Sequence, residues 1–220
     1  MERWAEHYQE LYLRETVVTD TAVENTSPLP VMKELDDPPT IEELSINIDS
    51  LASSKARGND GILPEVIKVG QDTSLLIHHH ELLLQCWEEG SVPQDMHDAN
   101  IITLYKNKGD GSDSNNYRGM SLHSIVGKTF ARVMLNRLQS LVERVYPEAQ
   151  CAFRAERSTI DMIFFLRQLQ EKCREQRRPL YIAFIDLTKA FHLVSRSGLF
   201  TLLHRIGRLT QAPKDDHFLP

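Results

Sequence analysis

Asp186 is a carboxylate whose position in the sequence would suit a ligand of a catalytic metal ion. It follows residues 180–185 (LYIAFI), an apolar run that Pro179 precedes. Such a run predicts a β-strand buried on both faces, with Asp186 at its end. A carboxylate there is costly unless a metal ion, a cation or several N–H groups compensate its charge. Asp186 is therefore a candidate metal ligand, and the alternative is that it only caps the helix predicted after the strand.

Three cations mark a second candidate site. Residues 99–105 are mostly apolar or β-branched and predict a strand, and residues 117–122 predict its antiparallel partner beyond a charged turn. Lys106 and Lys108 would lie near the tip of this hairpin, with Arg118 on the returning strand. These side chains suit phosphate oxygens, because Arg offers a bidentate fork and Lys a point charge. A solvated hairpin tip is the alternative interpretation.

Apolar residues at helical spacing predict α-helices over most of the remaining chain. The predicted helices cover residues 4–12, 41–51, 64–69, 74–89, 124–145, 160–170 and 191–206. Thr40 with Glu43, and Ser158 with Asp161, match capping boxes at two of the helix starts. The adjacent histidines at 78–80 point in different directions on a helix, so they are not expected to share a metal ion. Helices, one hairpin and one strand together define an α+β fold.

Composition narrows the class of protein. The chain has 220 residues, of which 41% are hydrophobic, enough for a core. No apolar run approaches the ~20 residues that cross a bilayer, so no membrane partner is expected. The first residues (MERW) do not resemble a secretion signal, and Cys86, Cys151 and Cys173 lack CxxC spacing. These features predict an intracellular protein, cytoplasmic or nuclear, with reduced thiols.

Charge is distributed unevenly along the chain. Residues 1–99 hold 6 Lys and Arg against 20 Asp and Glu, a net charge of −14, whereas residues 100–220 hold 19 against 11, a net charge of +8. A polyanionic partner is therefore implausible for the first part and plausible for the second. The alternative is that basic helices in the second part merely carry solvated outer faces.

Five segments together resemble the reverse transcriptase of non-LTR (LINE-type) retrotransposons. In chain order they are residues 55–62 (KARGNDGI), 104–110 (LYKNKGD), 116–122 (NYRGMSL), 153–161 (FRAERSTID) and 184–191 (FIDLTKAF). They resemble the family's K-A-P-G-P-D-G-I, its fingers motif, N-Y-R-P-I-S-L, F-R-x-G-R-S-T-x-D and the first palm motif, F-x-D-L-x-K-A-F-D. Each motif alone is weak, but five in the family's order form a specific match over most of the chain.

The resemblance implies part of an RNA-directed DNA polymerase with a right-hand fold. Residues 40–208 would be a truncated reverse transcriptase domain, comprising the fingers and the first part of an incomplete palm sheet. Residues 1–39 would form a helix and polar linker upstream of it, and residues 209–220 a divergent polar tail. The implied partners are an RNA template, a DNA primer and a dNTP, and the implied cofactor is Mg²⁺, two ions of which support nucleotidyl transfer.

The resemblance also assigns roles to single residues. Asp186 matches the first metal-binding carboxylate of the palm. Lys106 and Arg118 match residues that contact the dNTP triphosphate, and Lys108 is a substitute for Lys106. Phe191 matches the bulky residue that screens against a ribose 2′-OH.

Several positions depart from the family pattern. Gly119 stands in place of a proline, His192 in place of the last palm aspartate, and Glu156 in place of a glycine whose site could require positive φ. The family's second palm motif, a strand hairpin bearing Asp-Asp, has no counterpart, and the Asp215-Asp216 pair is interpreted as coincidence in a polar tail. The chain is therefore predicted to be inactive alone. The alternatives are a non-catalytic module that binds nucleic acid or protein, and a decayed retroelement reading frame without selected function.

Overall fold

The computed structural model describes residues 2–13, 24–187 and 189–207. Its α-helices are α1 (Glu2–Tyr12), α2 (Ile41–Asp49), α3 (Pro64–Val69), α4 (Ser74–Glu89), α5 (Gln94–His97), α6 (Ile125–Glu143), α7 (Thr159–Glu175) and α8 (Arg196–Arg205). Its strands are β1 (Ala99–Tyr105) and β2 (Tyr117–His123), which pair in one antiparallel sheet. This helix-rich arrangement with a two-stranded sheet confirms the coarse α+β prediction.

Local sequence signals explain where the helices begin and end. At the start of α2, the Thr40 hydroxyl accepts a hydrogen bond from the Glu43 N–H, and the Glu43 carboxylate accepts one from the Thr40 N–H. Ser158 and Asp161 form the equivalent pair at the start of α7. Both predicted capping boxes are therefore confirmed. Gly90 ends α4 in the left-handed conformation, with φ of 66°, as expected for a helix C-terminus.

A hydrophobic core lies between α2, α3, α4, α5 and α6. Its buried members are Leu44, Ile48, Ile67, Leu83, Cys86, Met96, Ile125, Phe130 and Met134. The hairpin is continuous with this core, because β1 begins just after α5 and β2 ends just before α6. The core therefore fixes the base of the hairpin.

Arg137 on α6 connects the long helix to the start of α2. Its guanidinium donates through Nε to Glu43 Oε1 (2.8 Å) and through Nη2 to Glu43 Oε2 (2.6 Å). It also donates to the Asp37 and Pro38 carbonyls and lies over the ring of Trp87, 5.3 Å from the centroid. The Arg137 hydrogen bond holds the pKa of Glu43 below its usual value, against a smaller opposing effect of burial. Several hydrogen bonds and one cation–π contact thus set the position of α6.

A second, smaller cluster holds α8. Leu203 and Ile206 pack with Leu35 and Leu141. The backbone of the preceding segment joins them, since the Met32 N–H donates to the Gly207 carbonyl (2.9 Å). Residues 24–35 therefore wrap around the end of α8.

The predicted buried strand at residues 180–185 is wrong. These residues form neither helix nor strand, and they are exposed to solvent. Tyr181 and Phe184 are 91% and 86% exposed, and Ile185 is 85% exposed. A strand needs a neighbour for its backbone hydrogen bonds and cover for its faces. The described residues supply neither, so the composition of the run does not produce a strand here.

Helix α7 also presents apolar residues to solvent. None of its residues is buried, although it contains Met162, Phe165, Leu166 and Leu169 on one side. Its charged residues lie mainly on the opposite side. This is the pattern of an amphipathic helix, whose apolar side usually packs against another element. Together with residues 180–187, α7 leaves a series of large apolar side chains exposed among the described residues.

Candidate active site

The two faces of the hairpin have different surroundings. In the register, Ile102 pairs with Met120 and Leu104 with Arg118. These residues share one face, here called the front face, because side chains alternate along a strand. The opposite, back face carries Tyr105 opposite Tyr117 and Thr103 opposite Gly119.

The structure brings the two predicted triphosphate contacts together on the front face. Arg118 is exposed on β2. Lys106 directly follows β1, and its N–H still donates to the Asn116 carbonyl (2.8 Å), so alternation places its side chain on the same face. The Lys106 ammonium donates to the Asn115 carbonyl at 2.8 Å. Lys108 is exposed in the turn, between Asn107 and Gly109, both of which have positive φ.

The loop at residues 55–62 anchors the base of the hairpin. Asp60 accepts hydrogen bonds from the N–H groups of Ile62 and Ile125 (both 3.1 Å), so it ties the loop to the first turn of α6. A Cβ on Gly58 would lie 2.3 Å from the His123 carbonyl oxygen, so only glycine allows this close backbone approach. The motif therefore has a visible structural role beneath the hairpin. Its Gly-Asn-Asp-Gly turn was the sequence signal for that loop.

Asp186 and Phe191 lie in a separate exposed segment. Asp186 is exposed, and Phe191 is 77% exposed with its ring edge-on to Phe153 (5.9 Å between centroids). Thr188 lies outside the described residues. Within the described part of the chain, no hydrogen bond or ion pair joins Asp186 to the hairpin cations.

The described residues do not fit a Mg²⁺ site. Mg²⁺ requires near-octahedral oxygen ligation. Among residues 2–13, 24–187 and 189–207, no group of three or more His, Cys, Asp or Glu side chains could hold a metal ion. Asp186 is one carboxylate in an exposed segment, which does not make a site for the ion that the family uses.

The departure at Glu156 has the expected backbone consequence. Glu156 has φ of 57°, in the left-handed region that favours glycine. Phe153, in the same motif, also has positive φ (60°). The sequence argument that this position could require positive φ is confirmed, and the loop before α7 is strained at a position where the family has glycine.

Helix α1 lies near the candidate site. The sequence predicted this helix but gave no indication that it contacts the hairpin. The ring of Trp4 contacts Tyr117 on the back face, with 4.9 Å between centroids. His7 lies within 3.5 Å of the Lys189 ammonium, beside the first palm motif. The four-residue spacing of Trp4, Tyr8 and Tyr12 was the available signal, since it places three rings on one helix face.

Comparison of the sequence with known proteins identifies a matching family model and several relatives. A family model described as reverse transcriptase (RNA-dependent DNA polymerase) matches residues 105–212. The chain is 29% identical over 201 residues to the transposon TX1 uncharacterized 149 kDa protein of Xenopus laevis, covering 89% of this chain and 15% of that protein. It is 29% identical over 176 residues to the RNA-directed DNA polymerase from mobile element jockey of Drosophila melanogaster, covering 77% and 18% respectively.

A third relative belongs to another element type. The chain is 25% identical over 187 residues to the retrovirus-related Pol polyprotein from type-1 retrotransposable element R2 of Bradysia coprophila, covering 85% of this chain and 20% of that protein. The chain is thus related to the reverse transcriptases of non-LTR retrotransposons and covers part of that domain. It spans no more than about a fifth of these relatives' length. No helix in the described ranges is long and apolar enough to cross a membrane.

Proposed function

We propose that this chain is the fingers and first palm segment of an RNA-directed DNA polymerase. Lys106 and Arg118 bind the triphosphate of an incoming dNTP, with Lys108 as a second lysine at the hairpin tip. Asp186 is the first metal-binding carboxylate, and Phe191 is the residue that screens against a ribose 2′-OH. RNA template and DNA primer are the proposed substrates, and Mg²⁺ would be bound only when further carboxylates complete the site.

One observation carries this proposal. Lys106 and Arg118 share the front face of the hairpin, and both residues lie within the region matched by the reverse transcriptase model, residues 105–212. The front face is open to solvent: Leu104 and Met120 beside the cations are 46% and 48% exposed. Cations next to exposed apolar side chains suit a ligand with a polyphosphate and a planar base.

Binding of a dNTP to the 220-residue chain tests the hairpin assignment. We expect Lys106→Ala and Arg118→Ala each to weaken dATP binding by a factor of about 10 to 100, because a hydrogen bond to a charged group contributes roughly 1.5–3 kcal/mol. Equilibrium dialysis with labelled dATP measures this. Lys33→Ala is the matched control, since it removes one charge from an exposed lysine in the segment that wraps around the end of α8. Equal weakening in the control, or no loss in either hairpin variant, would contradict the assignment.

A second candidate function is sequence-independent binding of nucleic acid without catalysis. The observation that favours it is the cluster of exposed cations at and after the C-terminal end of α7. Its members are Lys172, Arg174, Arg177 and Arg178. Phosphate contacts of this kind release counterions, so they weaken as salt rises.

Titration of the whole chain with single-stranded RNA at two salt concentrations tests this candidate. We expect affinity to fall steeply with salt, and the double variant Arg177→Ala, Arg178→Ala to reduce the slope of log affinity against log salt by about one or two. The acidic residues 1–99 are kept in this test, because α2, α3 and α4 form the core with α6. An affinity that does not change with salt concentration, or a slope that is unchanged in the double variant, would rule out this surface as the binding site for RNA.

A further inference from the structure

Helix α1 carries a row of aromatic rings. Trp4 stacks with Tyr8 (6.2 Å between centroids, 25° between planes), and Tyr8 stacks with Tyr12 (6.1 Å, 24°). Residues four apart lie on one helix face, so the three rings form a continuous row along α1. Aromatic pairs at these separations attract one another beyond their simple burial.

One end of the row is fixed to the back face of the hairpin. Trp4 meets Tyr117 edge-on at 4.9 Å, and Tyr117 lies 5.2 Å from Tyr105. Arg3 donates to the Ser112 carbonyl (3.0 Å), which adds a polar contact at the hairpin turn. These contacts leave the front face, with Lys106 and Arg118, uncovered by α1.

The other end of the row reaches the first palm motif. Tyr12 meets His192 edge-on at 5.4 Å between ring centroids. One turn earlier, His7 lies between the two segments, with Nδ1 at 3.2 Å from the Ser114 hydroxyl and Nε2 at 3.5 Å from the Lys189 ammonium. Burial, and then the Lys189 charge, lower the pKa of His7 and so favour its neutral form. A single helix therefore contacts both the hairpin and the residues just after Asp186.

Two departures from the family pattern fall at the contacts of this row. Gly119 replaces a proline, and a Cβ there would lie 2.8 Å from Tyr8 Cε1, so a larger residue would displace the ring. His192 replaces the last palm aspartate, and its ring is the partner of Tyr12. Glycine makes room for one ring of the row, and histidine supplies a neighbour for another.

We propose that α1 is a brace that fixes the separation between the hairpin and the turn at residues 189–193. Trp4, Tyr8 and Tyr12 are its positioning residues, and Gly119 and His192 are the sites that receive them. If the proposed function is correct, this brace sets the distance between the triphosphate-binding cations and Asp186. It does so through contacts with the back face of the hairpin and leaves the front face free for the nucleotide. The separation itself is a property of the described chain and does not require polymerase activity.

Distance measurement between spin labels tests the brace directly. Labels are placed at the exposed positions Lys108→Cys and Ala190→Cys, in a Cys173→Ser background, because Cys86 and Cys151 are buried. Double electron–electron resonance of the labelled chain is expected to give one narrow distance peak. Replacing the ring partner through His192→Asp, a change at the surface of the turn, is expected to abolish the narrow peak.

Further variants separate the brace from a general loss of structure. Tyr12→Phe keeps the ring and is expected to keep the narrow peak, whereas Tyr12→Ala loses it. Gly119→Ala also loses it in the parent chain but has no additional effect in a Tyr8→Ala chain, where the obstructing ring is gone. Gln9→Ala, exposed on the same helix, is the matched control and leaves the peak unchanged.

Two results of the distance measurements would contradict the brace. An unchanged peak in His192→Asp and Tyr12→Ala, with helix content intact by circular dichroism, would overturn the brace. Additive effects of Gly119→Ala and Tyr8→Ala would do the same, since they would show that the two residues do not meet. Failure of dATP binding would affect only the proposed function, because these distances are measured without nucleotide.

Discussion

The 220-residue polypeptide is expected to give no elongated product when it is mixed with RNA template, DNA primer, dNTPs and Mg²⁺. Two-metal nucleotidyl transfer needs both the attacking and the leaving oxygen to be stabilised. In the described ranges Asp186 is exposed and belongs to no group of three possible metal ligands. A single carboxylate cannot hold Mg²⁺ in competition with water. Denaturing gel electrophoresis of a labelled primer measures the expected complete absence of product.

The control variants make this prediction specific. Extension that is reproducible in the parent chain and disappears in Asp186→Ala, but persists in Asp161→Ala, would refute it. Asp161 suits the control because its carboxylate caps α7 and lies in a different motif. Extension that also disappears in Asp215→Asn would show that the pair at residues 215–216, outside the described residues, supplies ligands after all.

Sequence signals predicted the elements whose causes are local. The capping boxes at Thr40 and Ser158 depend on residues three apart, and the hairpin depends on alternation and a polar turn over residues 99–123. Such signals act within a few residues of chain, so they can be recognised without knowing the fold. The positive φ of Glu156 has a different source, because it was expected only conditionally, from the family resemblance that places a glycine at this position.

Elements whose causes are distant in the chain were predicted wrongly or not at all. The apolar run at residues 180–185 has strand composition, but strand formation depends on neighbours that the described residues do not provide. The contacts of α1 join Trp4 to Tyr117 and Tyr12 to His192, pairs more than a hundred residues apart. Helical spacing predicts a row of rings but gives no information about which surface receives it.

The segment that carries Asp186 is rich in exposed apolar side chains. Helix α7 and residues 180–187 expose large side chains, among them Phe164 (57%) on α7 and Leu187 (70%) directly after Asp186. Exposed apolar area of this kind marks a site of association. Asp186 therefore follows directly on apolar residues that no other element in the described part of the chain covers.

The second large effect concerns stability against pH and depends on His79. The triple-histidine run on α4 places its members in three environments: His78 lies near Glu81, His80 near the Pro39 carbonyl, and His79 is buried. Thr129 donates its hydroxyl proton to the Val126 carbonyl (2.7 Å), so its oxygen can only accept from His79 Nε2–H (2.9 Å). His79 Nε2 therefore carries a proton. The buried Nδ1 has no hydrogen-bond partner among the described residues, so burial disfavours a second proton there.

Burial, assisted by the neighbouring His80, lowers the pKa of His79 to about 4. The unfolded chain, with a histidine pKa near 6.5, takes up a proton at a higher pH than the folded chain does. The contribution of neutral His79 to the free energy of unfolding is therefore fully present above about pH 6.5. It is lost progressively as the pH falls from there towards 4. The single residue contributes about 3 kcal/mol to this loss, at roughly 1.4 kcal/mol for each pH unit between the two pKa values.

Replacing His79 with leucine is expected to remove this part of the pH dependence, because the Thr129 hydroxyl keeps its bond to Val126 and no ionisable group remains in the buried position. Urea unfolding of the parent chain, His79→Leu and His78→Gln at pH 7, 6, 5 and 4.5 measures it. Burial also lowers the pKa values of His7 and His123, so the parent chain and both variants share that background slope, and the difference between them isolates His79. His78→Gln, which changes the exposed neighbour, should retain the parent's slope. Parallel stability curves for His79→Leu and the parent would show that His79 is protonated equally easily in both states and is not held neutral by its site.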